Sequence, residues 1–162
     1  DNEDSWPQMR PVLERADDLT PRAEDAQFVN AWTQALLRLR RDEPLLRLDD
    51  AKDVQAALRF HRVEGEPGLV VAELDGRALP ASHPAHGRRL AIALNTDPRP
   101  RRTTVTALAG ADLALHPALA ALRDDAAGVA SDARLADASL SDTGVLRVPG
   151  RTALVFAAAH NP

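Results

Sequence analysis

Cysteine is absent from this chain. That excludes disulfides, thiolate zinc sites and a cysteine nucleophile, and it leaves the compartment open. Aromatic residues make up only 3% and are confined to Trp6, Phe28, Trp32, Phe60 and Phe156, with no tyrosine. Lys52 is the sole lysine, so nearly all positive charge is arginine. Together with abundant alanine, this reads as the codon bias of a GC-rich genome, which speaks of ancestry and not of function. No uncharged run approaches the roughly 20 apolar residues that a membrane span needs, so no membrane span is expected. No basic leader followed by an apolar stretch opens the sequence, so no signal peptide is expected and the localisation stays unassigned. An excess of positive charge is lacking too. The net charge is −4, whereas a duplex-binding protein is usually basic with a clustered patch, so nucleic acid is not the expected partner.

What is present suits one globular unit: 162 residues, of which 44% are apolar and 27% charged, enough for a core and too ordinary in charge for wholesale disorder. The pattern changes near residue 55. Before it the signals are helical. Trp6, Met9, Val12 and Leu13 allow a turn or two of helix, interrupted by Pro7 and Pro11. Thr20 and Pro21 then read as an N-cap and first helical position, with Glu24 and Asp25 in the first turn. Phe28, Ala31, Trp32, Ala35, Leu36 and Leu39 recur at three and four along roughly five turns, up to the stop at Asp42–Pro44. Asp49 or Asp50 is placed to cap a short helix over Ala51–Val54. Beyond residue 55 the period becomes two. Leu58–Arg62 and Leu69–Leu74 flank a Gly/Pro turn as a hairpin. Arg89–Asn95, Thr103–Leu108, Leu113–His116, Val145–Val148 and Thr152–Ala158 follow as strands. Residues 118–138 suit helix or loop equally. Short strands at such spacing predict an antiparallel β-sandwich, so the fold class is mainly β behind a helical front.

Chemical motifs are sparse. His83-Pro84-Ala85-His86 has the spacing of half a metal site, but no third ligand stands nearby, and a polar surface loop is the plainer reading. His61 lies on the polar side of its strand, and His116 and His160 have no partner in sequence. None of the five serines sits in a glycine-flanked elbow. The glycines mark turns and do not form a phosphate cradle. Asp17-Asp18, Asp49-Asp50 and Asp124-Asp125 are adjacent pairs, whose side chains point apart, whereas glycosidase carboxyls face each other about 5–10 Å apart. Arg38–Arg41 is explained by the helix dipole. Arg99–Arg102 could meet a phosphate but reads more simply as a solubilising turn. No motif requires a cofactor or a metal.

One likeness organises these fragments. Asn2-Glu3-Asp4-Ser5-Trp6-Pro7-Gln8-Met9 resembles the "N-x-x-x-W-P-x-M" stretch late in bacterial pullulanases. Leu36-Leu37-Arg38-Leu39-Arg40 and Glu43-Pro44-Leu45-Leu46-Arg47-Leu48 resemble the passage "L-L-R-I-R … S-P-L-F-R-L". Asp53-Val54 with Leu58-Arg59-Phe60-His61 is similar to "A-x-D-I … V-x-F-H", Gly68-Leu69-Val70-Val71 to "P-G-V-I-V-M", and Leu94-Asn95-Thr96-Asp97-Pro98 to "L-F-N-A-T-P". Leu115-His116-Pro117 and the closing Gly144–Phe156 stretch also match, in order.

The resemblance implies the C-terminal part of a pullulanase-type α-1,6-glucosidase of the α-amylase superfamily. Such debranching glycoside hydrolases cleave α-1,6 branch points in pullulan and in starch or glycogen dextrins. Residues 1–55 would then be the last loop and helices of the catalytic (β/α)₈ barrel, and 56–162 the C-terminal β-sandwich. The partners implied are the upstream barrel and, through it, the α-glucan. The family's catalytic Asp, Glu and Asp lie upstream of the matched region, so no catalytic residue is carried over, and the chain alone is expected to be inactive. Barrel active sites sit at the loops after the strands. Asp1, Asn2 and Trp6 fall in what resembles the last such loop and are the candidate substrate-binding residues. A carbohydrate-binding or protein-interaction module is the alternative. With Phe28 and Trp32 on the helix core face and Phe60 and Phe156 at inward strand positions, Trp6 would be the only aromatic free to stack on sugar.

Overall fold

The computed structural model describes residues 2–124 and 131–158. Three helices open the chain: α1 (Trp6–Leu13), α2 (Ala16–Leu19) and α3 (Ala23–Asp42). A 3-10 turn, Pro44–Arg47, leads to α4 (Ala51–Ala57). Pro7 sits near the start of α1, and Pro11 lies inside it, which leaves two turns of helix. The long helix starts later than Thr20 and Pro21 suggest. The Thr20 hydroxyl donates instead to the Ala16 carbonyl at 2.7 Å, closing α2. Arg22 is the N-cap of α3, and its backbone N–H donates to the Asp25 carboxylate at 2.8 Å. Asp50 caps α4 as expected, accepting from the Lys52 N–H at 2.7 Å.

Among the described residues eight strands follow: β1 (Leu58–His61), β2 (Leu69–Asp75), β3 (Arg89–Asn95), β4 (Arg101–Thr104), β5 (Leu113–Leu115), β6 (Ser139–Leu140), β7 (Val145–Val148) and β8 (Thr152–Ala158). They form two antiparallel sheets, ordered β1-β2-β3-β8-β5 and β4-β7-β6. Helix α5 (Pro117–Arg123) and the 3-10 turn Ala133–Asp137 occupy the stretch whose sequence was neutral between helix and loop. Asp125 and His160 lie outside the described residues. The β-branched run at Thr103–Leu108 is strand only to Thr104, starts two residues early at Arg101, and ends in the 3-10 turn Thr106–Leu108.

Cross-strand partners share a sheet face. Val71, Ala93 and Leu154 form one row, with Ala91 and Phe156 beside it, and this face shares a core with Leu146 and Val148 of β7. Asn95 joins the two sheets. Its buried amide nitrogen donates to the carbonyls of Arg99 (2.9 Å), Val148 (3.2 Å) and Pro149 (3.0 Å), while its Oδ1 accepts from the Asp97 N–H (3.0 Å). The opposite face of the large sheet is buried where Leu74 and Leu90 pair and open where Val70 and Leu94 pair.

Edge strand β1 departs from the expected alternation. Phe60 is on that outer face and 71% exposed, while His61 is turned inward onto Glu73 at 3.1 Å. An ion-paired histidine can occupy the inner position because Glu73 and Arg89 also lie there, bonded at 2.5 Å. Helix α3 packs on α5 through a face of Ala31, Ala35 and Leu39, all buried. Trp32 is partly buried against the core, Phe28 is half-buried, and Leu36, with its neighbours Val29 and Leu37, is exposed.

Candidate functional site

Asn2 and Trp6, two of the three candidate residues, meet at the start of α1. Asp1 lies outside the described residues. The Trp6 indole N–H donates to Asn2 Oδ1 at 3.4 Å, across one helical turn. Asn2, Trp6, Met9, Arg10 and Leu13 line a hollow of about 270 Å³. It offers an indole that is 55% exposed, an apolar floor from Met9 and Leu13, and two polar ends in Asn2 and Arg10. That arrangement suits contact with the face and hydroxyls of a sugar ring and contains no general acid or base.

Several buried or half-buried titratable groups elsewhere are held in structural ion pairs. Glu43, the C-cap of α3, is buried and faces Arg88 Nη1 at 3.2 Å and His116 Nε2 at 3.4 Å. Burial alone pushes the Glu43 carboxyl up. The hydrogen bond from His116 and the charge of Arg88 outweigh it and hold the carboxyl below its ordinary value. His116 also caps α5, its Nδ1 accepting from the Ala118 N–H at 3.1 Å. Asp132 accepts from the Trp32 indole N–H at 3.0 Å and from Arg134, whose guanidinium lies over the Phe28 ring at 5.7 Å. Burial raises the Asp132 carboxyl, and Arg134 with Trp32 brings it below the ordinary range. The two buried glutamates, Glu43 and Glu73, thus each face one arginine and one histidine. Neither lines the Asn2–Trp6 hollow.

The histidines of the 83–86 segment serve its loop. His83 Nδ1 accepts from the Ala85 N–H at 3.1 Å, and its Nε2 lies 3.7 Å from Asp53. His86 Nδ1 bonds the Leu79 carbonyl at 2.8 Å. Among the described residues no group of three His, Cys, Asp or Glu side chains converges to hold a metal, and no helix is long and apolar enough to cross a membrane. Asp17 and Asp18 are exposed, Asp50 is a cap, and Asp124 bonds its neighbour Arg123 at 2.7 Å.

A family model described as "Alpha-1,6-glucosidases, pullulanase-type, C-terminal" matches residues 1–159. The chain belongs to this family. Pullulanase 1, chloroplastic, of Arabidopsis thaliana is 29% identical over 169 residues, which takes in 99% of this chain and 16% of that protein. PulA of Klebsiella oxytoca superposes with a TM-score of 0.69 at 23% identity, covering 88% of this chain and 13% of that one. A Paenibacillus barengoltzii pullulanase complexed with maltotetraose gives a TM-score of 0.56 at 20% identity, over 80% of this chain and 16% of that one. These structures share the fold. The chain therefore spans about a sixth of the length of the curated relative, and it matches the region that the family model describes as C-terminal. In this chain the Leu94-Asn95-Thr96-Asp97-Pro98 segment has a clear structural role, since Asn95 ties the sheets and Asp97 bonds Arg101. Sequence reasoning identified the motif but not Asn95 as its keystone. The available signal was a polar residue ending an apolar strand just before a turn.

Proposed function

We propose that this chain serves a debranching enzyme that hydrolyses α-1,6-glucosidic bonds in pullulan, starch or glycogen dextrins, and that it supplies scaffold and not catalytic residues. One observation carries the scaffold reading. No residue of α1 or α2 is buried, although Trp6, Met9, Val12, Leu13 and Leu19 are apolar. A helix of eight residues has no independent stability in water, so α1 needs an apolar surface outside this chain. The upstream barrel is the partner that meets this need. Residues 1–55 complete the barrel's last loop and helices, and 56–162 form the C-terminal β-sandwich. This division is supported by helices that run up to Ala57 and strands that begin at Leu58. Covering Val12 and Leu19 in this way leaves the Asn2–Trp6 end of α1 at the rim of the α-glucan cleft.

The chain alone is inactive in this reading, because the catalytic Asp, Glu and Asp that the family resemblance implies lie upstream of the matched region. Reducing-sugar release from pullulan, measured for the 162-residue chain and for the full-length protein side by side, tests it. Release by the full-length protein alone is expected. Release by the chain alone would refute the scaffold role.

A further inference from the structure

A groove crosses the outward side of the small sheet. One part, about 360 Å³, is lined by Arg102, Arg147, Asp137, Pro100 and Pro149 among others. It adjoins a second hollow of about 440 Å³ that shares Pro100, Asp137 and Pro149 and adds Arg151. Arg102 and Arg147 are direct cross-strand partners in β4 and β7. Side chains in that relation stand about 4.5–5.5 Å apart at Cβ, and like charges there destabilise the pair. Among the described residues neither guanidinium has a hydrogen bond or an ion pair, in contrast to Arg101, which bonds Glu66 and Asp97, and Arg134, which bonds Asp132. The next residue in the row, Ser139, is neutral.

The Arg151 side chain is also unpaired. Its backbone is left-handed, with φ 49°, and its N–H donates to the Asp97 carbonyl at 2.9 Å. A non-glycine residue held in that region costs energy and marks a position fixed by its surroundings. The turn before it is packed closely on the Pro98 carbonyl, which a Cβ on Gly150 would overlap. Three arginines without a side-chain partner among the described residues therefore line two adjoining hollows of a chain whose net charge is −4.

We propose that the Arg102–Arg147 groove binds a phosphate group. Guanidinium forks bond phosphate oxygens in pairs, and a dianion neutralises two facing arginines where a carboxylate neutralises one. Asp137, the one carboxylate in the lining, repels the anion but accepts hydrogen bonds from hydroxyls. The adjoining hollow holds more than a phosphate ion. A phosphate ester of a hydroxyl-bearing compound fits both facts better than the free ion. The proposal does not rest on the glucan-cleaving activity.

Isothermal titration of the full-length protein at low ionic strength, with inorganic phosphate, glucose 6-phosphate and glucose as probes, tests it. Both phosphates are expected to bind and glucose is not. Tighter binding of glucose 6-phosphate assigns the ester as the source of the group, and tighter or equal binding of inorganic phosphate assigns the free anion; either result supports the groove. Arg102→Gln and Arg147→Gln should each weaken binding about tenfold or more. Without phosphate, each variant should melt no lower than the wild type, since a repulsion has been removed. Arg147→Lys, which keeps the charge but loses the fork, should fall between. No heat from either phosphate at millimolar concentration overturns the proposal. So does binding unchanged in both glutamine variants, or a melting temperature lowered by several degrees in both, which would show the pair to be structural.

Discussion

Replacing Asn95 removes the polar tie between the two sheets. Its amide supplies two protons shared among three carbonyls, and its oxygen accepts one N–H. Asn95→Ala therefore loses about three net hydrogen bonds at about 1 kcal/mol each, so a loss of about 3 kcal/mol is expected. For a chain of this size that corresponds to a fall in melting temperature of roughly 6–12 °C. Urea unfolding followed by circular dichroism measures the loss directly. Asn95→Asp should cost more at neutral pH, because a charged oxygen would face the carbonyls of Arg99, Val148 and Pro149. Such a site disfavours the ionised form, so the folded-state pKa of the new carboxyl lies above its unfolded value. The extra penalty is then full above the folded pKa and shrinks as the pH falls through it. A loss below about 1 kcal/mol in Asn95→Ala would refute the keystone role, because a single ordinary hydrogen bond accounts for that much. An Asn95→Asp penalty that ignores pH would refute the burial argument.

Gly144 and Gly87 both have left-handed backbones, with φ of 77° and 78°. A Cβ at Gly144 would overlap the Val105 carbonyl, whereas one at Gly87 meets nothing within 4 Å. Gly87→Ala should cost about 1 kcal/mol and Gly144→Ala clearly more, by thermal melting of the pair. The Glu43 carboxyl has a depressed folded pKa, so its stabilisation is complete above its ordinary value of 4.5 and is lost as the pH falls through the lower folded value. Glu43→Gln should flatten the pH dependence of unfolding in that acidic window. Trp6 is exposed and Trp32 partly buried, so acrylamide should quench Trp32→Phe, which retains Trp6, more strongly than Trp6→Phe.

The strands Arg89–Asn95, Val145–Val148 and Thr152–Ala158 were legible to the residue, because each is a compact apolar run bounded by turn residues. The family resemblance was legible for a related reason, since its motifs are short and local and keep their order. The start of α3 was misplaced because Thr20 and Arg22 compete for the capping role. The competition is settled by α2, a four-residue helix too short to show a pattern. Phe60 and His61 exchanged faces because β1 is an edge strand, where polarity alone does not say which side carries a buried carboxylate. The candidate site was partly readable, in that Asn2 and Trp6 lie one helical turn apart and do meet. The facing of Arg102 and Arg147 was not, because it depends on the pairing of strands far apart in sequence.

Strand β8 is the last of the described strands, yet it lies inside the large sheet, between β3 and the edge strand β5. During synthesis, β1 to β3 can pair as they emerge, but β5 has no neighbour in that sheet until Thr152–Ala158 has been made. The sandwich cannot assemble piece by piece from its N-terminal end. A ribosome that stalls before residue 152 releases a three-stranded sheet, β1-β2-β3, with β5 left unpaired. The exposed flank of β3 would then offer an unpaired apolar strand to other chains and mark the product for removal.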